Sequence, residues 1–338
     1  MNISERARKL HFENFVVDTH CDTLMKIANS WDPQYRRLFN IEGPIDISKE
    51  NPDMHIDIPR MKKGGMNLQF FAVYIEPRFK PSGALMRTLQ GFDAFEQMLA
   101  NNPEMMKVTS YEDAIKAKKD NRIAGLLAIE GGEALEGSLS VLRMLYNLGL
   151  RSIGLTWNQR NRIAEGVGDC VSGGGLTKFG RELIAEMNKL GVIVDVSHLS
   201  PAGYWDVIEF SEKPIIASHS NARAVCDHPR NLYDDQIKAL AENGGVMGMN
   251  FCVPFVKDAD EVTIEDMLDH VDHIVNLVGV DHVGLGSDFD GISASPKGLE
   301  NITTIPNFTH GLVERGYTDE EIVKILGGNY LRVLKEVL

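Results

Sequence analysis

Val192-Ile-Val-Asp-Val-Ser-His198 and Pro214-Ile-Ile-Ala-Ser-His-Ser220 are two short apolar, β-branched runs, each with a histidine near its C-terminal end. Between them, Ser200-Pro201 reads as a helix N-cap followed by proline at the first helical position. Strand, helix, strand is the unit predicted. The near-continuous hydrophobicity fits strands covered on both faces, as in a parallel sheet. Moving outward, the same kind of run recurs at 16–20, 66–75, 123–130, 151–157, 245–251 and 282–288, which makes eight in all. Helical spacing of Leu, Met and Phe lies between runs at 85–100, 139–148 and 177–190, with Gly191 placed to stop the last of these. Thr318-Asp-Glu-Glu321 reads as a capping box. Eight strands alternating with helices predict a (β/α)8 TIM barrel. The rival, an open doubly wound sheet, would show a glycine-rich phosphate loop after its first strand. Cys21-Asp-Thr-Leu24 stands there instead.

A length of 338 residues suggests two domains at ~150 residues each, but barrels run to ~250 or more as one. No linker interrupts the pattern, so one barrel is expected over 1–338. Its extra length is expected in a long loop or insertion at about 29–59, where Pro33, Pro44, Pro52 and Pro59 break any periodicity. The 35 basic and 48 acidic residues give a net charge of −13, which excludes a nucleic-acid-coating or polybasic membrane surface. Cys21, Cys170, Cys226 and Cys252 form no Cys-x-x-Cys pair, so free thiols in a reducing compartment are expected. The first residues lack an apolar core and no apolar run approaches ~18 residues. A cytoplasmic protein without signal, membrane span or lipid anchor is the expectation.

The chemistry lies at the ends of the runs, where a barrel places its active site. The first ends in His20-Cys-Asp22, whose two side chains face one side of an extended chain. The third ends in Glu130-Gly-Gly132, a buried carboxylate that is costly unless paired or metal-bound. The fifth and sixth supply His198 and His219, and the eighth ends Gly286-Ser-Asp288-Phe-Asp-Gly291. Singly, a strand-end histidine is ordinarily a hydrogen-bonded structural residue, and Asp-x-Asp-Gly ordinarily a turn. Together they converge on one mouth. Three imidazoles with two or three carboxylates suit zinc or a similar divalent ion. One carboxylate bridging two ions, ~3.5–4 Å apart and sharing a hydroxide, is an arrangement open to this set.

These strings, with Val17-Asp-Thr-His-Cys-Asp22, Ala224-Val-Cys226 and Gly328-Asn-Tyr-Leu-Arg-Val333, resemble the membrane (renal-type) dipeptidase family, peptidase family M19, among the metal-dependent amidohydrolases. The resemblance runs from about residue 14 to the end. It implies a zinc-dependent dipeptidase with two divalent metal ions, most simply Zn2+. His20 and Asp22 would hold one ion, His198 and His219 the other, and Glu130 would bridge them. A metal-bridging hydroxide would attack the peptide carbonyl, and Asp288 would take the proton and deliver it to the leaving amine. Arg230 would bind the free C-terminal carboxylate of an L-L or L-D dipeptide.

The family's histidine after Leu-Thr on strand four is replaced here by Trp157, followed by Asn158. Either could donate a hydrogen bond to the substrate. Phe255 stands near a substrate-contacting tyrosine of the family and lacks its hydroxyl. A bacterial, cytoplasmic relative and a homodimer are implied in the same way. Another amidohydrolase acting on lactones, N-acyl amino acids or amines is the alternative, and a catalytically silent barrel the second. Asp18 reads as a deeper supporting residue. His228, Asp290, His270, His273, His282 and the Gly173-Gly-Gly175 run are not assigned roles.

Overall fold

In a computed structural model of the chain, which describes residues 3–38, 41–80 and 82–338, each of the eight apolar runs contributes one parallel strand. A ninth, unanticipated strand joins them. In chain order they are β1 (Val17–Asp18), β2 (Leu68–Tyr74), β3 (Met105–Val108), β4 (Ile123–Glu130), β5 (Leu150–Gly154), β6 (Ile193–Asp195), β7 (Ile216–Ala217), β8 (Val246–Met249) and β9 (Val283–Leu285). All but β3 close a barrel in the order β2-β1-β9-β8-β7-β6-β5-β4, with β2 and β4 paired directly. The closing ladder runs from Leu68 opposite Ala124 to Tyr74 opposite Glu130. The predicted (β/α)8 TIM barrel is therefore the fold.

Strand β3 lies outside the ring. It pairs with the lower half of β4, from Met105 opposite Ile123 to Val108 opposite Leu126, and β5 takes over from Leu127 upward. Its Met-Met-Lys-Val sequence is half exposed, so the apolar signature of a barrel strand is missing.

Helices Ala84–Asn101, Leu139–Asn147 and Lys178–Leu190 match the three predicted from spacing. Ser200 caps helix Pro201–Phe210 by accepting from the Gly203 amide. Thr318 and Glu321 form the expected reciprocal box, and Gly191 ends its helix at φ +75°.

The segment 29–59, expected to lack regular structure, carries the end of helix Thr23–Ser30, helix Pro33–Leu38 and the start of helix Ile58–Lys63. Phe39 and Asn40 lie outside the described residues. Pieces of six residues are too short to show a helical period, which is why proline content alone was visible. Among the described residues no helix is long and apolar enough to cross a membrane.

The barrel interior is filled from below. Leu68, Phe70, Ala124, Leu126, Ile193, Ile216 and Val246 pack with Tyr330 of the closing helix Asn329–Val337. The Tyr330 hydroxyl lies 3.1 Å from the Thr19 hydroxyl, which donates to the carbonyls of Ser218 and Leu285. This fit requires Gly248, because a Cβ there would lie 2.2 Å from the Ser218 carbonyl oxygen and 2.7 Å from the Tyr330 hydroxyl. Gly248→Ala is expected to destabilise the fold by about 1–3 kcal/mol, the usual cost of overpacking. A urea denaturation midpoint unchanged from the wild type would show that the barrel floor yields to the extra methyl.

Candidate metal centre

The ladders stop short of the polar run ends. Residues His20, His198, His219 and Asp288 all lie just beyond the last strand residue of their runs. His198 and Asp288 adopt left-handed backbone, at φ +67° and +64°. This region is uncommon outside glycine and is held only where the surroundings enforce it. At both places a buried aspartate provides the constraint. Asp195 accepts from the Ser197 and Ser218 amides, at 3.0 and 2.9 Å, and from the Ser218 hydroxyl. Asp18 accepts from the His20 amide at 3.3 Å, the Ser287 amide at 2.8 Å and the Ser287 hydroxyl at 2.6 Å. Each aspartate sits two or three residues before a site histidine and ties it to the neighbouring strand.

These contacts also set the histidine tautomers. The Ser218 hydroxyl gives its proton to Asp195, so at 2.7 Å from His219 Nδ1 it accepts the ring N–H. The Asn158 carbonyl oxygen lies 2.7 Å from His198 Nδ1 and can likewise only accept. Both rings therefore present an Nε2 lone pair to the site. Burial and the nearby Arg230 and His20 charges hold both imidazoles well below their ordinary pKa, so they are neutral.

Three acceptors now meet. The two Nε2 atoms are 3.0 Å apart, and Glu130 Oε1 lies 2.9 Å from His198 Nε2 and 3.3 Å from His219 Nε2. A proton on Glu130 would satisfy one of these contacts and leave the others unmet. The other carboxylate oxygen, Glu130 Oε2, faces His20 Nε2 at 3.7 Å. His20 Nε2 also lies 3.6 Å from Asp22 Oδ2 and 3.9 Å from Asp288 Oδ1. His20 Nε2 and Asp22 Oδ1 are buried with no hydrogen-bond partner.

The electrostatics point the same way. Burial disfavours the His20 imidazolium, but Glu130, Asp22 and Asp288 outweigh it and raise its pKa to about 10. Burial also pushes Glu130 well above the carboxylate range and Asp288 up to about 6. The cluster demands positive charge at its centre, which a divalent cation among these nitrogen and oxygen donors would supply. The donor set fits a metal in two overlapping groups, His20, Glu130 and His219, and His20, Asp22 and Asp288. Gly291 is needed beside them, because a Cβ there would lie 2.0 Å from Asp22 Oδ2.

A cavity of about 530 Å³ opens above the cluster. Asp22, Glu130, His198, Asp288, Arg230, Trp157, Asn158 and Phe255 all border it, with His20 and His219 buried beneath. Arg230 donates to the His219 carbonyl at 3.0 Å, and its Nε is buried without a partner. Phe255 packs against the Arg230 guanidinium at 5.5 Å. Trp157 lies between the rings of Tyr74 and His198, at 5.1 and 5.8 Å.

Sequence reasoning missed Asn250, which donates to Asp288 Oδ2 at 3.0 Å, and Tyr74 and Glu76, which border the cavity. It also passed over the Asp195–Ser218 link, for which the Asp195-Val-Ser-His198 and Ser218-His219 strings were the available signal. Asp290 serves the scaffold: it accepts from Thr23, Lys26 and the His55 amide and so pins the 29–59 segment. His270 is a buried tether between the Ala222 amide and the Val256 carbonyl. The amides of Gly174 and Leu176 are engaged by Glu165 and Asp206, so the glycine run presents no free anion nest there.

A parallel barrel with histidines and carboxylates at its C-terminal strand ends is a metal-dependent hydrolase by fold and site. The profile of the membrane dipeptidase family, peptidase family M19, matches residues 4–338. An uncharacterized dipeptidase of Schizosaccharomyces pombe is 38% identical over 300 residues, covering 83% of this chain and 72% of that protein. Dipeptidase aclJ of Aspergillus oryzae is 37% identical over 294 residues, covering 83% and 70%. Among solved structures, that of dipeptidase AC, a family M19 metallopeptidase, is 30% identical with a TM-score of 0.85, covering 96% of this chain and 98% of that one. A metallopeptidase from Rhodobacter sphaeroides, liganded with a phosphinate mimic of the dipeptide L-Ala-D-Ala, is 29% identical with a TM-score of 0.84, covering 96% and 99%. The chain belongs to the membrane dipeptidase family, M19, and is a metallo-dipeptidase requiring a divalent metal.

Ser218→Ala removes the hydroxyl between Asp195 and His219. It is expected to weaken metal binding by roughly 10- to 100-fold, as for other groups that orient a histidine ligand. Chelator competition giving wild-type affinity would mean that Ser218 does not set the ring.

Proposed function

We propose that this chain hydrolyses dipeptides carrying a free C-terminal carboxylate, of L-D as well as L-L configuration, with two zinc ions as cofactor. The observation that carries the reading is the divided Glu130 carboxylate. Its Oε1 meets His198 and His219 while its Oε2 turns to His20. On this reading His20 and Asp22 would hold one ion and His198 and His219 the other, with Glu130 contributing to both.

Bound cations of this kind acidify a water and polarise the scissile carbonyl. The remaining work falls to the protein. Asp288 takes the proton of the attacking water at Oδ1, the oxygen on the His20 side, while Asn250 fixes Oδ2. It then returns the proton to the departing amine. Arg230, buried with a vacant Nε–H at the cavity wall, grips the substrate carboxylate. Trp157, Asn158 and Phe255 complete the binding surface, with Asn158 also orienting His198. The phosphinate dipeptide mimic held by the Rhodobacter sphaeroides relative supports a dipeptide as the substrate class. One catalytic barrel spanning the chain, a homodimer and a cytoplasmic setting belong to the same reading, the last supported by four unpaired cysteines.

A screen of L-L and L-D dipeptides is expected to show hydrolysis that stops with a chelator and returns with zinc, at about two ions per chain. Glu130→Gln should abolish turnover and lower the metal content. Full activity in that variant would reduce Glu130 to a structural role.

Arg230→Ala is expected to raise KM by roughly 10- to 100-fold for free-acid dipeptides, the worth of a charge-assisted contact. Dipeptide amides should be little affected. Equal losses on acids and amides would count against carboxylate binding.

A further inference from the structure

Peptide hydrolysis places negative charge on the carbonyl oxygen as the attacking water adds, and that charge needs a donor held in place beforehand. The other polar groups around the cavity are tethered or stand elsewhere on its rim. Lys26 is drawn to Asp290 at 3.3 Å. Asn158 is tethered through its carbonyl, which accepts from His198 Nδ1. Arg230 lies beyond β7, on the side of the barrel opposite β2.

Strand β2 supplies no metal ligand, yet its last residue, Tyr74, stands in register with Glu130. Neighbouring strands lie ~4.8 Å apart, so the two side chains rise side by side. Leu68 and Phe70 of β2 pack in the barrel interior. Tyr74 shares their parity and therefore faces inward at the mouth. Its ring is wedged against Trp157 at 5.1 Å, and it borders the cavity. Among the described residues none hydrogen-bonds its hydroxyl. A phenol, with an ordinary pKa of about 10, keeps its proton at neutral pH.

We propose that the Tyr74 hydroxyl donates a hydrogen bond to the scissile carbonyl oxygen as that oxygen gains negative charge. The role rests on the dipeptidase reading above, and it makes Tyr74 a catalytic residue. The proton remains on Tyr74, and the proton released by the water goes to Asp288. Removing the hydroxyl therefore costs stabilisation of the tetrahedral state and little ground-state binding.

The test compares zinc-loaded wild type, Tyr74→Phe and Trp157→Phe. The readouts are dipeptide kinetics, metal content and calorimetric binding of a phosphinate dipeptide mimic, which carries a tetrahedral anionic centre. Tyr74→Phe should lower kcat roughly 10²- to 10³-fold, as for loss of one oxyanion donor. Its KM should stay within roughly threefold of wild type, its phosphinate affinity should fall in parallel with kcat, and its metal content should not change. Wild-type kcat and phosphinate affinity in Tyr74→Phe would overturn the role, as would a loss of metal in that variant. So would a Trp157→Phe variant that alone carries the defect, since the indole N–H would then be the donor. A wild-type protein that neither cleaves dipeptides nor binds the phosphinate would instead overturn the dipeptidase reading, and this inference with it.

Discussion

Three acceptor atoms forced together organise this molecule. His198 Nε2, His219 Nε2 and Glu130 Oε1 meet within 3.3 Å, and the partners of both rings turn their N–H groups away from the meeting point. Such a cluster repels itself unless a cation or proton enters. The folded chain therefore stores an electrostatic demand that metal binding relieves. Binding is accordingly coupled to stability, since a ligand that prefers the folded state stabilises it by mass action. The acidic composition takes on a local meaning here, because Asp22, Glu130 and Asp288 are concentrated where a divalent metal would offset them.

Holding that cluster requires a stiff frame. The left-handed backbone of His198 and Asp288 would relax if the run ends were free. Asp18 and Asp195 prevent this by the same device at two places. Each is a buried carboxylate that collects amide and hydroxyl donors from its own strand end and from the next. Burial drives Asp18 upward in pKa while the Ser287 donors pull against it. A two-strand staple of this kind resists both sliding and twisting at the mouth, where ligand placement must hold to a fraction of an ångström.

The barrel was legible because buried parallel strands leave continuous apolar runs, and the histidines and carboxylates of the mouth were legible because each closes such a run. Helix boundaries fell within a residue or two where caps such as Ser200 and Thr318 marked them. What escaped notice depends on partners distant in sequence. Strand β3 is half exposed and pairs outside the ring. The short helices of the 29–59 segment are set by contacts such as the His55 amide to Asp290. Tyr74 and Asn250 look like ordinary strand residues until the closed ring shows which way they face. Ser218 is a small polar residue whose importance lies wholly in standing between an aspartate and a ring.

The tyrosine that plugs the barrel floor has a consequence for how the protein comes into being. Tyr330 reaches Thr19 across 311 residues of sequence, and Asp288 N is bonded to the His20 carbonyl. During synthesis, the first strand, His20 and Asp22 emerge long before the groups that complete their surroundings. Until β9 arrives the barrel has an open seam, until the closing helix arrives it has an unfilled base, and the early strand edges are exposed. The histidines and carboxylates of the mouth are thus brought together last, from parts made first, when the whole circle shuts.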